Sequence, residues 1–406
     1  MRNILMAGAV ALGAISGGQA WAEGGVGVRG TWGEPQNSAA AFHNMEELFP
    51  SRRIAPGDKP MALKSPAAPF APSYDFKGKT HDLEAFAANT RTTGLLIMRG
   101  DQILYERYYQ GSAPDSRFIS FSVGKSFVSS LIGIALAEGK IRSLDDQMIH
   151  HLPELNGGAY ETATIRDVLE MSSGTSFDEE YTDAKSGIGG FIALFDQNKG
   201  GLYDYSRKFK SARKPGEKFN YASADTEILG ALLAKVTGQR AADYMSEKLW
   251  KPMGAEGEAR WILDQPGDAG REIAAGGLLI RLRDYARFGH LAAHDGAVDG
   301  RQVLPKGWIA QATQPQRPQV GYGKLSEGPL GYGYQWWLIP GADHAFTGEG
   351  IYGQFLMVNP ALDLVMVKTS NWTGAWDAEM SEETFALFQA LSEQVRAMPA
   401  QQPPTP

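Results

Sequence analysis

Ser122-Val123-Gly124-Lys125 sets a hydroxyl and an amine three residues apart at the start of a stretch patterned as a helix. Residues i and i+3 share a helix face, so the amine of Lys125 can reach the hydroxyl of Ser122. A serine hydroxyl is a weak nucleophile until a neighbour takes its proton. A helix start adds free N–H groups and positive potential, both of which steady negative charge as the oxygen attacks a carbonyl. The same spacing also fits an N-capping serine beside a solvated lysine, so it needs a second signal. Gly124-Lys125-Ser126 could close a phosphate loop, G-x-x-x-x-G-K-[ST], but that loop needs glycine at position 119 and the chain has Ile119. Without it the backbone cannot wrap phosphates, which argues against an NTPase.

The second signal lies about a hundred residues on, in Pro215-Gly216-Glu217-Lys218-Phe219-Asn220-Tyr221-Ala222-Ser223. Pro-Gly makes a turn, and Tyr221 falls just before a helix. S-x-x-K followed by P-G-x-x-F-x-Y-x-[NS] resembles the serine β-lactamase and penicillin-binding protein superfamily, in particular its class C branch. Leu169-Glu170-Met171-Ser172-Ser173-Gly174 is similar to the L-L-x-x-T-S-G segment of that branch, and the likeness runs over roughly residues 76 to 395. Trp32-Gly33-Glu34-Pro35 is similar to the arm of 6-aminohexanoate-dimer hydrolases. The resemblance implies that Ser122 is the acylated nucleophile and that Tyr221 and Lys125 take its proton, with Lys125 holding the phenol's pKa down. It also implies that Tyr221 protonates the leaving group and that Ser223, where asparagine is commoner, supports Lys125.

The third motif is Gly348-Glu349-Gly350-Ile351-Tyr352-Gly353. β-Lactamases carry K-T-G here and hold the substrate carboxylate with it. This chain has no lysine in either register, Phe346-Thr347-Gly348 or Gly348-Glu349-Gly350, and Glu349 would repel a carboxylate. The segment is more similar to the W-G-G-x-Y-G of family VIII-type carboxylesterases. That likeness implies an oxyanion hole from the backbone N–H groups of Ser122 and Ile351, where one donor is typically worth about 3 kcal/mol of barrier. Ala275 precedes Gly276-Gly277 where the aminohexanoate hydrolases carry asparagine, and their loop after the match to Tyr181 is longer. Ester cleavage needs less leaving-group help than amide cleavage. Tyr181, Tyr334, Trp336, Trp337 and Tyr352 are candidate walls of an apolar acyl pocket.

Other constellations carry less. Glu154 in Pro153-Glu154-Leu155-Asn156 comes too soon after Ser122 to be a class A catalytic acid and reads as a surface loop residue. His290 and His294 are spaced i, i+4 as zinc ligands are, but the intervening residues lack the H-E-x-x-H glutamate, and they read as surface histidines. His150 and His151 read as exposed. No G-x-S-x-G elbow is present, which argues against an α/β-hydrolase.

These residues need elements to hold them. Thr93–Met98 and Gln102–Tyr109 flank the turn Arg99-Gly100-Asp101, as in a hairpin. Helices are expected over Ser122–Glu138 before Gly139, Ala224–Val236 before Gly238, about Asp284–His294 and about Ser381–Met398. Strands are expected over Gly333–Leu338, Gln354–Val358 and Leu362–Thr369. Strands thus come from both ends and helices from the middle. The expected fold is α/β and β-lactamase/transpeptidase-like: one antiparallel sheet flanked by terminal helices, with an inserted helical lobe at about 140–275. The expected division is a signal peptide at 1–22, an extended arm at 23–78, a catalytic domain at 79–398 and a Pro-rich tail at 399–406.

The chain has 406 residues, with 39 Lys plus Arg against 46 Asp plus Glu, a net charge of −7. Without basic runs it is a poor nucleic-acid binder. With no cysteine, disulfides, thiolate catalysis and Cys-ligated zinc are excluded. Arg2, the apolar stretch Ile4–Ile15 and Ala20-Trp21-Ala22 have the shape of an export signal cleaved after Ala22. No later segment has the apolar length of a membrane span. The reading is an exported, periplasmic or secreted serine hydrolase that needs no cofactor and no metal, a carboxylesterase on small apolar acyl esters. Alternatives are an amidase, β-lactamase or D-peptide hydrolase on the same residues, or a catalytically silent penicillin-binding-like receptor.

Overall fold

The computed structural model describes residues 27–65, 70–325 and 328–399, so the expected signal segment and most of the tail lie outside the described residues. The main sheet has seven antiparallel strands. In spatial order they are Gly331–Tyr332, Trp337–Leu338, Phe346–Gly350, Gln354–Asn359, Leu364–Ser370, Thr92–Arg99 and Gln102–Tyr108. Sequence-distant strands meet at its centre, where Leu364 pairs with Arg99 and Val367 with Leu96.

Alternation along these strands explains why both faces are dry. Leu95, Ile97, Met357 and Met366 point to one side and pack with Leu387, Phe388, Leu391 and Val395 of the last helix, Ala378–Ala397. Leu96, Met98, Val358 and Val367 point to the other side and join Phe127, Leu131 and Phe288. Successive side chains of a strand face opposite ways, so a run such as Leu95-Leu96-Ile97-Met98 must be covered on both faces. The rings of Phe127 and Phe288 stack at 3.7 Å, joining the nucleophile helix Gly124–Ala137 to the helix Leu282–Ala293.

The helix ends fall where the glycines are. Gly139 has φ +71° just past the nucleophile helix, and Gly238 caps the tyrosine helix, Ser223–Thr237, with φ +67°. Both values lie in the left-handed region that stops helices at low steric cost.

Three expectations are corrected. A second antiparallel sheet is present, in the order Ser51–Ile54, Ala259–Ile262, Leu278–Arg281, Arg117–Ile119. It draws one strand from the arm and one from the expected helical lobe, and each has three or four residues, too few to show a period. The arm is therefore not extended throughout. It makes helical turns at Ser38–Ala41 and Met45–Glu47, and Ser51 then pairs with Ile262. The expected strand Gly333–Leu338 is broken: only Trp337–Leu338 is strand, because Gln335 turns into the left-handed region at φ +62° and Gly333 N–H bonds Trp336 O.

Candidate active site

Ser122 lies in a tight turn, Phe121–Val123, that leads into the nucleophile helix. Phe121 has φ +40°, a conformation that costs a non-glycine residue roughly 1–3 kcal/mol and persists only when its surroundings hold it. The surroundings are aromatic. The Phe121 ring packs 5.1 Å from Phe42, 5.4 Å from Tyr352 and 5.9 Å from Trp32.

Helix geometry brings Lys125 back to Ser122 as its spacing predicts. Lys125 Nζ lies 2.8 Å from Ser122 Oγ, 3.1 Å from Ser223 Oγ and 2.8 Å from Ala275 O. The side chain is buried, and desolvation brings its pKa down to about 8, against the raising influence of Glu179 and Glu227. A neutral amine has two N–H donors and one lone pair. As an ammonium Lys125 donates to all three oxygens; once neutral it keeps Ala275 O and Ser223 Oγ as acceptors and can accept from the Ser122 hydroxyl on its lone pair. Near neutral pH this lysine can both take and return a proton.

Each partner is itself held. The buried carboxyl of Glu227 accepts from Ala275 N–H at 2.8 Å, tethering the backbone next to the carbonyl that Lys125 reaches. Burial pushes Glu227 up to about 8. Ser223 N–H donates to Glu179 Oε1. The Tyr221 ring lies 5.2 Å from Lys125 Nζ and stacks on Trp337 at 5.5 Å. The tyrosine helix is anchored through Asp225, which accepts from Ser173 Oγ at 2.7 Å and Tyr160 OH at 2.9 Å. The Leu169–Gly174 segment thus acts through Ser173 as a brace for Tyr221.

The third-motif strand Phe346–Gly350 passes against the nucleophile turn. A Cβ on Gly350 would sit 2.8 Å from Ser120 O and 3.1 Å from Ser122 N, so only glycine lets the two backbones approach this closely. Ile351 follows at once and lines the same cavity as Ser122. That cavity, about 70 Å³, is walled by Trp32, Ile188, Phe191, Ile192 and Phe195, with Tyr181, Ser122 and Ser223 also on its lining. Glu349 is buried, with Oε1 finding no hydrogen-bond donor among the described residues, and desolvation pushes its pKa up to about 8. At neutral pH it is mostly protonated, so the expected repulsion of a carboxylate is corrected to the simple lack of a cation.

The remaining residues expected at the site divide cleanly. Trp337 is at the site, whereas Trp336 is in the core, stacked 5.9 Å from Phe288, and is not a pocket wall. Tyr334 is likewise buried and receives a hydrogen bond from Arg166. Tyr352 packs on the arm, 5.0 Å from Phe42, instead of lining the cavity. Tyr181 stays on the lining, its hydroxyl held far above its usual range by burial and by Glu179. Of the four histidines expected at the surface, His294 and His150 are exposed. His290 is buried in its helix, and His151 is partly buried beside Asp146, because each packs against a neighbouring turn.

Sequence reasoning misses Glu179, Glu227, Trp32 as a pocket wall, and Gln335. The buried Gln335 amide accepts from Thr226 Oγ1 at 2.7 Å, and its backbone carbonyl accepts from Ser126 Oγ at 2.7 Å, tying the tyrosine helix to the nucleophile helix. The acidic run Asp178-Glu179-Glu180 before Tyr181 is a visible signal for Glu179. Nothing local marks Gln335.

Comparison with known proteins agrees with this architecture. The beta-lactamase family profile matches residues 80–390. The chain is 30% identical over 351 residues to the 6-aminohexanoate-dimer hydrolase of Paenarthrobacter ureafaciens, covering 84% of this chain and 87% of that one. Among solved structures, the putative 6-aminohexanoate-dimer hydrolase from Bacillus anthracis superposes with a TM-score of 0.80 at 22% identity, covering 91% of this chain and 97% of that one. A family VIII carboxylesterase superposes with a TM-score of 0.58 at 17% identity, covering 76% and 96%. The chain belongs to the beta-lactamase family and is a serine hydrolase of the β-lactamase and penicillin-binding protein superfamily.

Proposed function

We propose that the chain is an exported carboxylesterase that acts on small apolar acyl esters through an acyl-enzyme at Ser122. The observation that carries the reading is the buried Lys125 amine 2.8 Å from Ser122 Oγ, on the edge of an apolar cavity. In this mechanism Ser122 Oγ bonds to the ester carbonyl carbon while its proton passes to Lys125 and Tyr221. The N–H groups of Ser122 and Ile351 hold the oxyanion. The C–O bond to the alcohol then breaks, and Tyr221 returns the proton to the leaving oxygen. Water repeats the sequence on the acyl-enzyme and frees the acid. The lack of a cation on the third-motif strand favours neutral substrates over β-lactams, since an unpaired buried carboxylate is costly.

A linear amide is the second reading. It is supported by the likeness to the 6-aminohexanoate-dimer hydrolase over 84% of the chain, and by Tyr181, which feels both Glu179 and Tyr221 beside the cavity. A hydrolysis panel of short p-nitrophenyl esters, a linear amide and a chromogenic cephalosporin separates the readings. Esters should give the highest kcat/KM; faster cephalosporin cleavage overturns the assignment. A fluorophosphonate should label Ser122 and nothing in Ser122→Ala, and labelling of another serine removes the mechanism. Export predicts a mature N-terminus at Glu23 in a periplasmic or secreted fraction; native protein that keeps Met1 or Arg2 refutes it.

A further inference from the structure

The helix Leu282–Ala293 ends at a cluster that the proposed reaction does not use. His290 and His294 lie one turn apart, with ring centroids 4.1 Å apart. A ring nitrogen of each and a carboxylate oxygen of Asp363 all fall within 4.8 Å of one another. Both rings are oriented by the backbone. His290 Nδ1 is 3.1 Å from Gly100 O, and His294 Nδ1 is 2.9 Å from His290 O. A carbonyl oxygen only accepts, so each Nδ1 carries a hydrogen and Nε2 is the ring nitrogen left for a metal; on His294 it now faces the Asp363 carboxylate, so an ion would replace the proton shared by that pair. A histidine whose Nδ1–H is tied to a carbonyl is the usual arrangement of a metal-binding imidazole.

The third group is also poised. His294 Nε2 lies 3.3 Å from Asp363 Oδ2, close to the roughly 3.4 Å between two ligands of a tetrahedral zinc ion. Asp363 Oδ1 is buried and finds no hydrogen-bond donor among the described residues. Gly100 N–H donates to Asp363 O at 2.8 Å, so two hairpin turns and a helix end are locked around the cluster. The helix C-terminus adds partial negative charge, and Asp101, paired with Lys64, lies in the neighbouring turn.

We infer that His290, His294 and Asp363 bind one divalent transition-metal ion of the zinc class, with water completing four-coordination. The site sits at the end of the main sheet away from Ser122. Strand Gln354–Asn359 runs from the Gly350 end, beside the nucleophile, to the turn that carries Asp363, roughly 17 Å at about 3.4 Å per residue. The ion would therefore clamp the helix Leu282–Ala293 to the two turns and take no part in acyl transfer.

The test uses the untagged full chain, stripped with a chelator and titrated with Zn²⁺ by calorimetry and with Co²⁺ by visible absorption. One ion per chain is expected, with micromolar affinity or tighter and the intense Co²⁺ bands of a four-coordinate site. His294→Gln and Asp363→Asn should each weaken binding at least about tenfold while leaving ester turnover unchanged. The Co²⁺ spectrum of the unaltered chain reads the ligand set even if a variant folds poorly. No saturable binding overturns the inference and leaves a His294–Asp363 ion pair. Equal affinity in both variants, or six-coordinate Co²⁺ bands, overturns it as well.

Discussion

Glu349 is a carboxyl buried on the third-motif strand, with desolvation as the cause of its raised pKa. Its folded value is about 8 against a reference of 4.5. Below the reference both states bind the proton, and the group's contribution is fully present. Between the two values the unfolded chain releases the proton and the folded chain keeps it, so stability falls as pH rises. The slope is about 1.4 kcal/mol per pH unit, and the loss between about pH 5 and about pH 8 comes to roughly 3.5 kcal/mol. Glu349→Gln removes the titration while keeping the shape. Urea unfolding of both proteins at the two pH values measures the difference directly. The Gln variant should gain about 3.5 kcal/mol on the wild type as pH rises across that window. Asp225 and Glu227 are also raised to about 8 and titrate in both proteins, so they cancel in the comparison. A stability difference that stays flat with pH would refute the assignment of a protonated, unpartnered Glu349.

Lys125 gives the opposite dependence in activity, because it must lose its proton to act as a base. Burial lowers it to about 8, so kcat/KM for an ester should climb with pH through that value and level off above it; a profile already flat at about pH 6 would remove Lys125 as the base. Lys125→Ala and Tyr221→Phe should each cut turnover by about a hundredfold, and the double variant by less than the product, since they move one proton together. Trp32→Ala empties a buried arm position and opens the acyl cavity. Unfolding measurements should show a loss of about 3–5 kcal/mol, and kcat/KM should fall most for the shortest acyl chains, which fill the enlarged cavity least.

The catalytic spacing is legible because helix geometry makes it so. Three residues separate Ser122 from Lys125, and no tertiary information is needed to bring them together. The glycines that stop the two site helices are legible for a similar reason. Strand parity is not. Trp336 and Trp337 are neighbours, and in a strand one must face the core and the other the opposite side. Trp337–Leu338 is only two residues long, so the pattern does not say which, and both read as pocket walls. His290 fails differently. An i, i+4 pair reads as a surface pair without its third partner, which arrives from a hairpin turn 73 residues away in the chain, at Asp363. The second sheet is hidden because its pairing is wholly non-local, with Ser51 opposite Ile262.

The arm ties these observations together. Trp32 Nε1 donates to Asp196 Oδ1 at 2.7 Å, its ring meets Phe195 edge-on at 5.7 Å, and both rings line the cavity beside Ser122. The same tryptophan packs on Phe121, whose left-handed backbone sets the angle at which the nucleophile turn enters its helix. One side chain from the start of the described chain therefore touches the acyl pocket and the strained residue before Ser122. Pocket size and nucleophile geometry are coupled through it. An arm of different sequence on the same catalytic residues would change which acyl groups fit and how firmly Ser122 is held. Under the proposed reading, the arm thus shares in shaping the acyl cavity with Ile188, Phe191 and Phe195 of the catalytic body, while the proposed roles of Ser122, Lys125 and Tyr221 are the same for every candidate substrate.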